Sequence, residues 1–181
     1  MMNAFLAGGV VLGLAVAPAF AGQQPTTAEK ADQTMAYGKN SDETFMMKAA
    51  NAGMEEVELG KLAVEKASSD EVKKFGQRMV DDHSKAGDEL KILAQNKHIT
   101  LPGETEARGK AAYDRLSKLS GASFDRAYMQ VMAAGHRQAL NDFRMETKMG
   151  KDADVKGWAA KTLPTIEEHV KMLQSAASKK P

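Results

Sequence analysis

Cysteine is absent from the 181-residue sequence. That removes thiolate zinc sites, iron–sulfur clusters, a thiol nucleophile, disulfides and a lipid-bearing cysteine. Proline is scarce at 5 residues and aromatics make up only 6%, a composition that favours long helices over strands and turns. An excess of one charge is lacking too. The 25 Lys and Arg nearly balance the 24 Asp and Glu, so charge gives no reason to expect nucleic acid or an anionic membrane as partner. Beyond residue 21 no run approaches the ~18 apolar residues of a membrane-spanning helix. What is present is 43% hydrophobic and 27% charged residues, enough for one buried core, and 12 methionines.

Residues 4–21, AFLAGGVVLGLAVAPAFA, carry no charge and end in the small-x-small pattern Ala19-Phe20-Ala21. The run reads as a signal peptide over 1–21, with an uncleaved anchor as the competing reading. The mature chain is expected to start near Gly22 and to be exported to the periplasm, free or associated with the outer membrane. Residues 22–40 read as a flexible leader.

From 41 to 178 the pattern predicts an all-α domain: a four-helix bundle with a short extra helix between helices 2 and 3. The first helix follows Ser41-Asp42-Glu43, which supply a cap and first-turn acids. Its inner seam is Phe45, Ala49, Ala52, Glu56, Leu59 and Ala63, at helical spacing. Ser68-Ser69-Asp70 recaps the chain. The second seam is Val72, Gly76, Met79, His83, Ala86, Leu90 and Leu93, ending near Asn96-Lys97. Residues 98–120 hold a short amphipathic piece through Ala111, Leu116 and Leu119. The third seam is Asp125, Met129, Met132, His136, Ala139 and Phe143, stopped by Gly150 as a glycine cap. The fourth is Val155, Ala159, Thr162, Ile166, His169 and Leu173, with Pro164 predicting a kink or a break and restart.

Three histidines and one glutamate therefore occupy the inner seams of four different helices. Counting from the turn near Ser69, Glu56 and His83 differ in height by only ~3 Å. His83 and His136 both fall near mid-helix, so they stay level whether helices 2 and 3 run parallel or antiparallel. Across the turn near Gly150, His136 and His169 mismatch by ~6 Å. A buried lone carboxylate is costly, whereas a carboxylate with three neutral imidazoles forms a plausible shell for one Zn, Cu or Fe ion. The metal ligands expected are Glu56, His83, His136 and His169. Met79 and Met132 each stand four residues before a histidine and are candidate soft ligands for copper, although Met also fills core gaps. Asp82 is a further candidate at the metal, either orienting a ligand or simply exposed. His98 reads as a surface residue, and Asp125 as a cap or brace.

Four segments carry a family resemblance: Glu56-Val-Glu-Leu-Gly-Lys-Leu-Ala63; Met79-Val-Asp-Asp-His83; Phe124-Asp-Arg-Ala-Tyr128 with His136; and Leu163-Pro-Thr-Ile-Glu-Glu-His169. Over about residues 41–176 the chain resembles the family named domain of unknown function 4142. The resemblance implies a ferritin-like, exported helical bundle and no established activity. Ferritin-like di-iron sites use Glu-x-x-His pairs. Here Val80, Ala133 and Ile166 stand three residues before the histidines, so a single ion is expected rather than two.

Three functions remain. The chain is an exported single-metal bundle acting in metal or stress handling, or a non-catalytic envelope module with a metal-free Glu/His network, or, least supported, an enzyme. No nucleophile–base pair or phosphate loop is present, so no catalytic residue is assigned. No protein partner is assigned, and a homo-oligomer is one option.

Overall fold

A computed structural model describes residues 39–178. The expected signal segment and nearly all of the leader lie outside the described residues. Within them the chain is all-helical: α1 (Lys39–Lys66), α2 (Asp70–Asn96), α3 (Ala107–Ser117), α4 (Gly121–Met149) and α5 (Ala153–Ser178).

Two carboxylates fix how the four long helices are joined. Asp125, near the start of α4, accepts hydrogen bonds from Ser68 N–H (3.0 Å), the Ser68 hydroxyl (2.6 Å) and Ser69 N–H (2.9 Å). The start of α4 therefore lies against the α1–α2 turn. Asp42, in the first turn of α1, accepts from the backbone N–H groups of Lys151 and Asp152 at the α4–α5 turn. Lys97 at the end of α2 pairs with Asp152 and Asp154 at 2.6 and 2.7 Å. It follows that α1 and α4 are antiparallel, as are α2 and α5, while α2 and α4 run in the same direction. The connection 98–120 must cross the length of the bundle, and α3 lies along α1 on the way. Glu106 N–H donates to Asn51 Oδ1 (2.8 Å), and Lys66 Nζ donates to the Ser117 carbonyl (2.8 Å). Of the short amphipathic piece, Leu116 is buried and Leu119 packs on the core. Ala111 faces water and Ala112 packs inward in its place.

The two hairpins repeat one pattern. Asp42 and Asp125, Phe45 and Tyr128, Ser69 and Asp152, Val72 and Val155, Phe75 and Trp158, and Leu90 and Leu173 each stand 83 residues apart. Each hairpin thus uses an Asp near the start of its first helix to hold the other hairpin's turn.

Two apolar clusters fill the interior, one above and one below mid-height. Leu59, Phe75, Met79, Leu116, Phe124, Tyr128 and Met132 belong to the upper one. Phe45, Leu90, Phe143, Val155, Trp158 and Ile166 belong to the lower. Each such side chain stabilises the fold by ~1.5–3 kcal/mol on burial. In the upper half α1 and α2 touch backbone to backbone. A Cβ on Gly60 would sit 2.7 Å from the Gly76 carbonyl, and one on Gly76 2.9 Å from that of Gly60, so glycine is required at both.

Three local expectations change. Residues 39 and 40 are already helical, so Ser41 does not cap α1, and Asp42 serves the other hairpin instead. Helix α5 runs unbroken through Pro164. That proline is exposed, as is Ala160 one turn earlier, so the carbonyl freed there can be hydrated. Gly150 ends α4 with φ −53°, not in the left-handed region. It is glycine because a Cβ would lie 2.2 Å from Glu146 Oε1. His98 is exposed and adopts φ 57° just past α2, and no described helix is long and apolar enough to cross a membrane.

Candidate metal centre

Between the two apolar clusters lies a polar layer. Each long helix contributes to it: Glu56 from α1, Asp82 and His83 from α2, His136 from α4 and His169 from α5. The match in height follows from the helix directions. Glu56 and His136 sit at equal height on antiparallel helices because His136 falls one turn away from the repeat mate of Glu56, which is Ala139. The mates of His136, His83 and His169 are Gly53, Ile166 and Ala86. The internal repeat therefore builds one constellation and not two.

His136 and His169 are fully buried, and Glu56 is 6% exposed. One ring nitrogen from each of His83, His136 and His169 lies within 4.8 Å of the others. The rings meet edge to face or tilted, with centroids 5.2–5.6 Å apart, and Phe75 packs against both His136 and His169.

The acceptors around the rings decide where the protons sit. Glu56 Oε2 lies 3.1 Å from His83 Nδ1, and its Oε1 lies 3.3 Å from His136 Nδ1. The Met132 carbonyl is 3.0 Å from that same His136 nitrogen. Asp82 Oδ2 lies 2.8 Å from His169 Nε2. A carboxylate or carbonyl can only accept, so each of these nitrogens carries the N–H. In the neutral rings the lone pairs are then on His83 Nε2, His136 Nε2 and His169 Nδ1. The last two face each other at 3.2 Å, and His83 Nε2 is buried without a hydrogen-bond partner.

Burial disfavours a proton on two of the three rings. Burial pushes His169 down to about 4, with His83 and His136 adding to the effect and Asp82 opposing it. Burial also lowers His83, against the pull of Glu56. Asp82 would be raised by burial, but hydrogen bonds from Arg78 and His169 outweigh it and hold the carboxyl low. With the rings neutral, the lone pairs of His136 Nε2 and His169 Nδ1 face each other in a largely buried layer beside His83, with two carboxylates on the far nitrogens of the rings, an arrangement suited to a cation.

A family model described as Domain of unknown function (DUF4142) matches residues 24–176. The chain belongs to the DUF4142 family. A comparison with curated proteins gives no match. Among solved structures, this DUF4142 chain resembles the crystal structure of a conserved hypothetical protein, rv2844, from Mycobacterium tuberculosis. The two are 11% identical with a TM-score of 0.62, over 78% of this chain and 94% of that one. At that identity the likeness speaks for the fold alone.

All four residues expected to share one layer in this DUF4142 chain do so, but not in equivalent roles. Glu56 stands at the Nδ1 side of both His83 and His136. Asp82 holds His169 from across the bundle rather than its neighbour His83. Met79 and Met132 belong to the upper apolar cluster, and Met132 reaches His136 through its backbone carbonyl. Two groups went unnoticed in the sequence. Arg78 binds Asp82 through Nε and Glu168 through Nη2. The i,i+4 spacing of Arg78 and Asp82 signalled the first contact; the second joins two helices and had no local signal. Tyr128 is buried with no partner for its hydroxyl. Burial and the nearby Glu56 charge raise it far above the usual phenol range.

Proposed function

We propose that this DUF4142 chain is an exported, ferritin-like bundle that holds a single transition-metal ion through His83 Nε2, His136 Nε2 and His169 Nδ1, for metal or stress handling in the cell envelope. The observation that carries the reading is the pair of lone-pair nitrogens facing at 3.2 Å. Two nitrogens bound to a tetrahedral ion at ~2.0–2.1 Å stand ~3.3 Å apart, so the pair already has that spacing. Glu56 and Asp82 fill the role of carboxylates that fix ligand tautomers and raise their basicity. In this reading Glu56 braces two ligands instead of binding the ion itself. Its charge and that of Asp82 offset a buried dication. An all-imidazole set suits Zn²⁺, Cu²⁺ or Fe²⁺. The missing Glu-x-x-His carboxylates, together with the absence of ligands at the repeat-related positions, argue for one ion. Export rests on the uncharged run ending in Ala19-Phe20-Ala21, and a mature N-terminus at Gly22 in the periplasmic fraction would support it.

The test is titration of metal-free mature protein with Zn²⁺ by calorimetry. One equivalent should bind, and the double substitution His83→Ala with His136→Ala should abolish it while the protein stays helical. A second reading is favoured by the fact that each imidazole already has an acceptor: the layer serves as a hydrogen-bonded brace. On that reading Glu56→Gln changes stability and Zn²⁺ has no effect on the wild type.

A further inference from the structure

The centre approaches solvent on one side. His83 and Asp82, with side chains 12% and 25% exposed, are its outermost groups, and both lie on α2. The α1–α2 contact is closed higher up by the touching glycines. On the other flank α3 covers α1, with Gly109 set against Glu55 and Thr105. The seam between α2 and α5 is held differently. Two ion pairs cross it, Arg78 with Glu168 at 3.0 Å and Lys161 with Glu89 at 2.8 Å, on either side of His83 along α2.

These two pairs are not equivalent. Arg78 also donates through Nε to Asp82 Oδ2, the same oxygen that accepts from His169 Nε2. Its guanidinium therefore spans from the outer edge of the centre to a carboxylate on the facing helix. It neutralises the two acids, Asp82 and Glu168, that would otherwise draw a cation to the seam. Its own side chain is 41% exposed and that of Glu168 54%. The Arg78–Glu168 pair is exposed enough to contribute little to stability, whereas Asp82 is 25% exposed.

We infer that Arg78 is the gate of the centre: divalent cations reach and leave the three histidines between α2 and α5, and the Arg78 guanidinium must swing off Asp82 and Glu168 to let them pass. The inference rests on the single-ion reading above. With Arg78 in place the seam presents a positive group to an arriving ion. With Arg78 displaced it presents two carboxylates that can hand the ion inward. The gate sets rates in both directions and leaves the affinity of the buried ligands nearly unchanged.

The experiment measures Zn²⁺ uptake by the metal-free protein and Zn²⁺ release to a chelator, both by stopped flow. Arg78→Ala should raise both rates about tenfold with Kd changed less than about threefold. Lys161→Ala removes the other cross-seam pair without touching Asp82, and should change either rate less than about twofold. Unchanged rates in Arg78→Ala would overturn the gate, as would equal acceleration by Lys161→Ala, which would mean general loosening of the seam. Wild-type protein that takes up no Zn²⁺ defeats the metal reading itself, and the gate with it. Zn²⁺ binding with an indifferent Arg78 defeats the gate alone.

Discussion

His136 Nε2 and His169 Nδ1 face each other at 3.2 Å while the far nitrogen of each ring is committed, one to Glu56 and the Met132 carbonyl, the other to Asp82. Two acceptors at that distance repel unless something positive lies between them. The carboxylates behind the rings therefore determine the chemistry of the layer as much as the imidazoles do.

Glu56→Gln tests the brace. The amide keeps the shape but loses the charge that fixes two tautomers at once. Zn²⁺ affinity should fall about 10–100-fold, the usual cost of losing such a partner, with one equivalent still bound at saturation. Calorimetric Kd and stoichiometry measure both.

Asp125 anchors the upper turn. Asp125→Ala removes three hydrogen bonds to a carboxylate and should destabilise the fold by about 1–3 kcal/mol, read as a lower urea midpoint. Metal stoichiometry should not change, because the site lies about three turns away.

Glycines in α2 should respond in opposite directions. At Gly76 a methyl group meets the Gly60 carbonyl and Ala63 Cβ at 2.9 and 2.8 Å, so Gly76→Ala should cost about 1–3 kcal/mol. At Gly87 nothing lies within 4 Å, so Gly87→Ala should stabilise by ~0.5–1 kcal/mol. Urea denaturation of the two variants checks the contrast.

A buried carboxyl at the lower end sets a pH dependence. Glu146 is fully buried with no donor facing it, and burial, with Asp42 beside it, raises it from 4.5 to about 7. Raised in the folded state, the group contributes its full stability below pH 4.5 and loses it as pH climbs through 7, by on the order of 3 kcal/mol. Asp152 adds to the strain and Lys156 eases it. Glu146→Gln should flatten this loss, so the variant gains on the wild type between pH 5 and pH 8 in urea unfolding. Parallel pH curves for the two proteins would remove Glu146 as the cause.

Much of this was legible in the sequence because helical period and turn signals are local. Ser68-Ser69, Asn96-Lys97 and Gly121 mark helix ends, and counting residues from them put Glu56, His83 and His136 in one layer. The direction of the crossover was not legible, since it depends on Asp42 and Asp125 gripping turns more than fifty residues away. The repeat is faint, because identities such as Asp42 with Asp125 are scattered and other pairs share only size, as with Phe75 and Trp158. Which ring nitrogen faces inward is a matter of rotamer and partner, invisible to periodicity, and so Glu56 read as a ligand. The break considered at Pro164 does not occur, because its cost depends on whether the freed carbonyl can reach water, and here both Pro164 and Ala160 are exposed.

In the proposed centre, three imidazole nitrogens from three helices hold one ion. X-ray absorption at the zinc edge, on protein loaded with one equivalent of Zn²⁺, tests it most directly. Three imidazole nitrogens at ~2.0 Å are expected, with one further light atom and no sulfur at ~2.3 Å. A shell of oxygens alone, a methionine sulfur, or an unchanged spectrum when His136 and His169 are both replaced would contradict it.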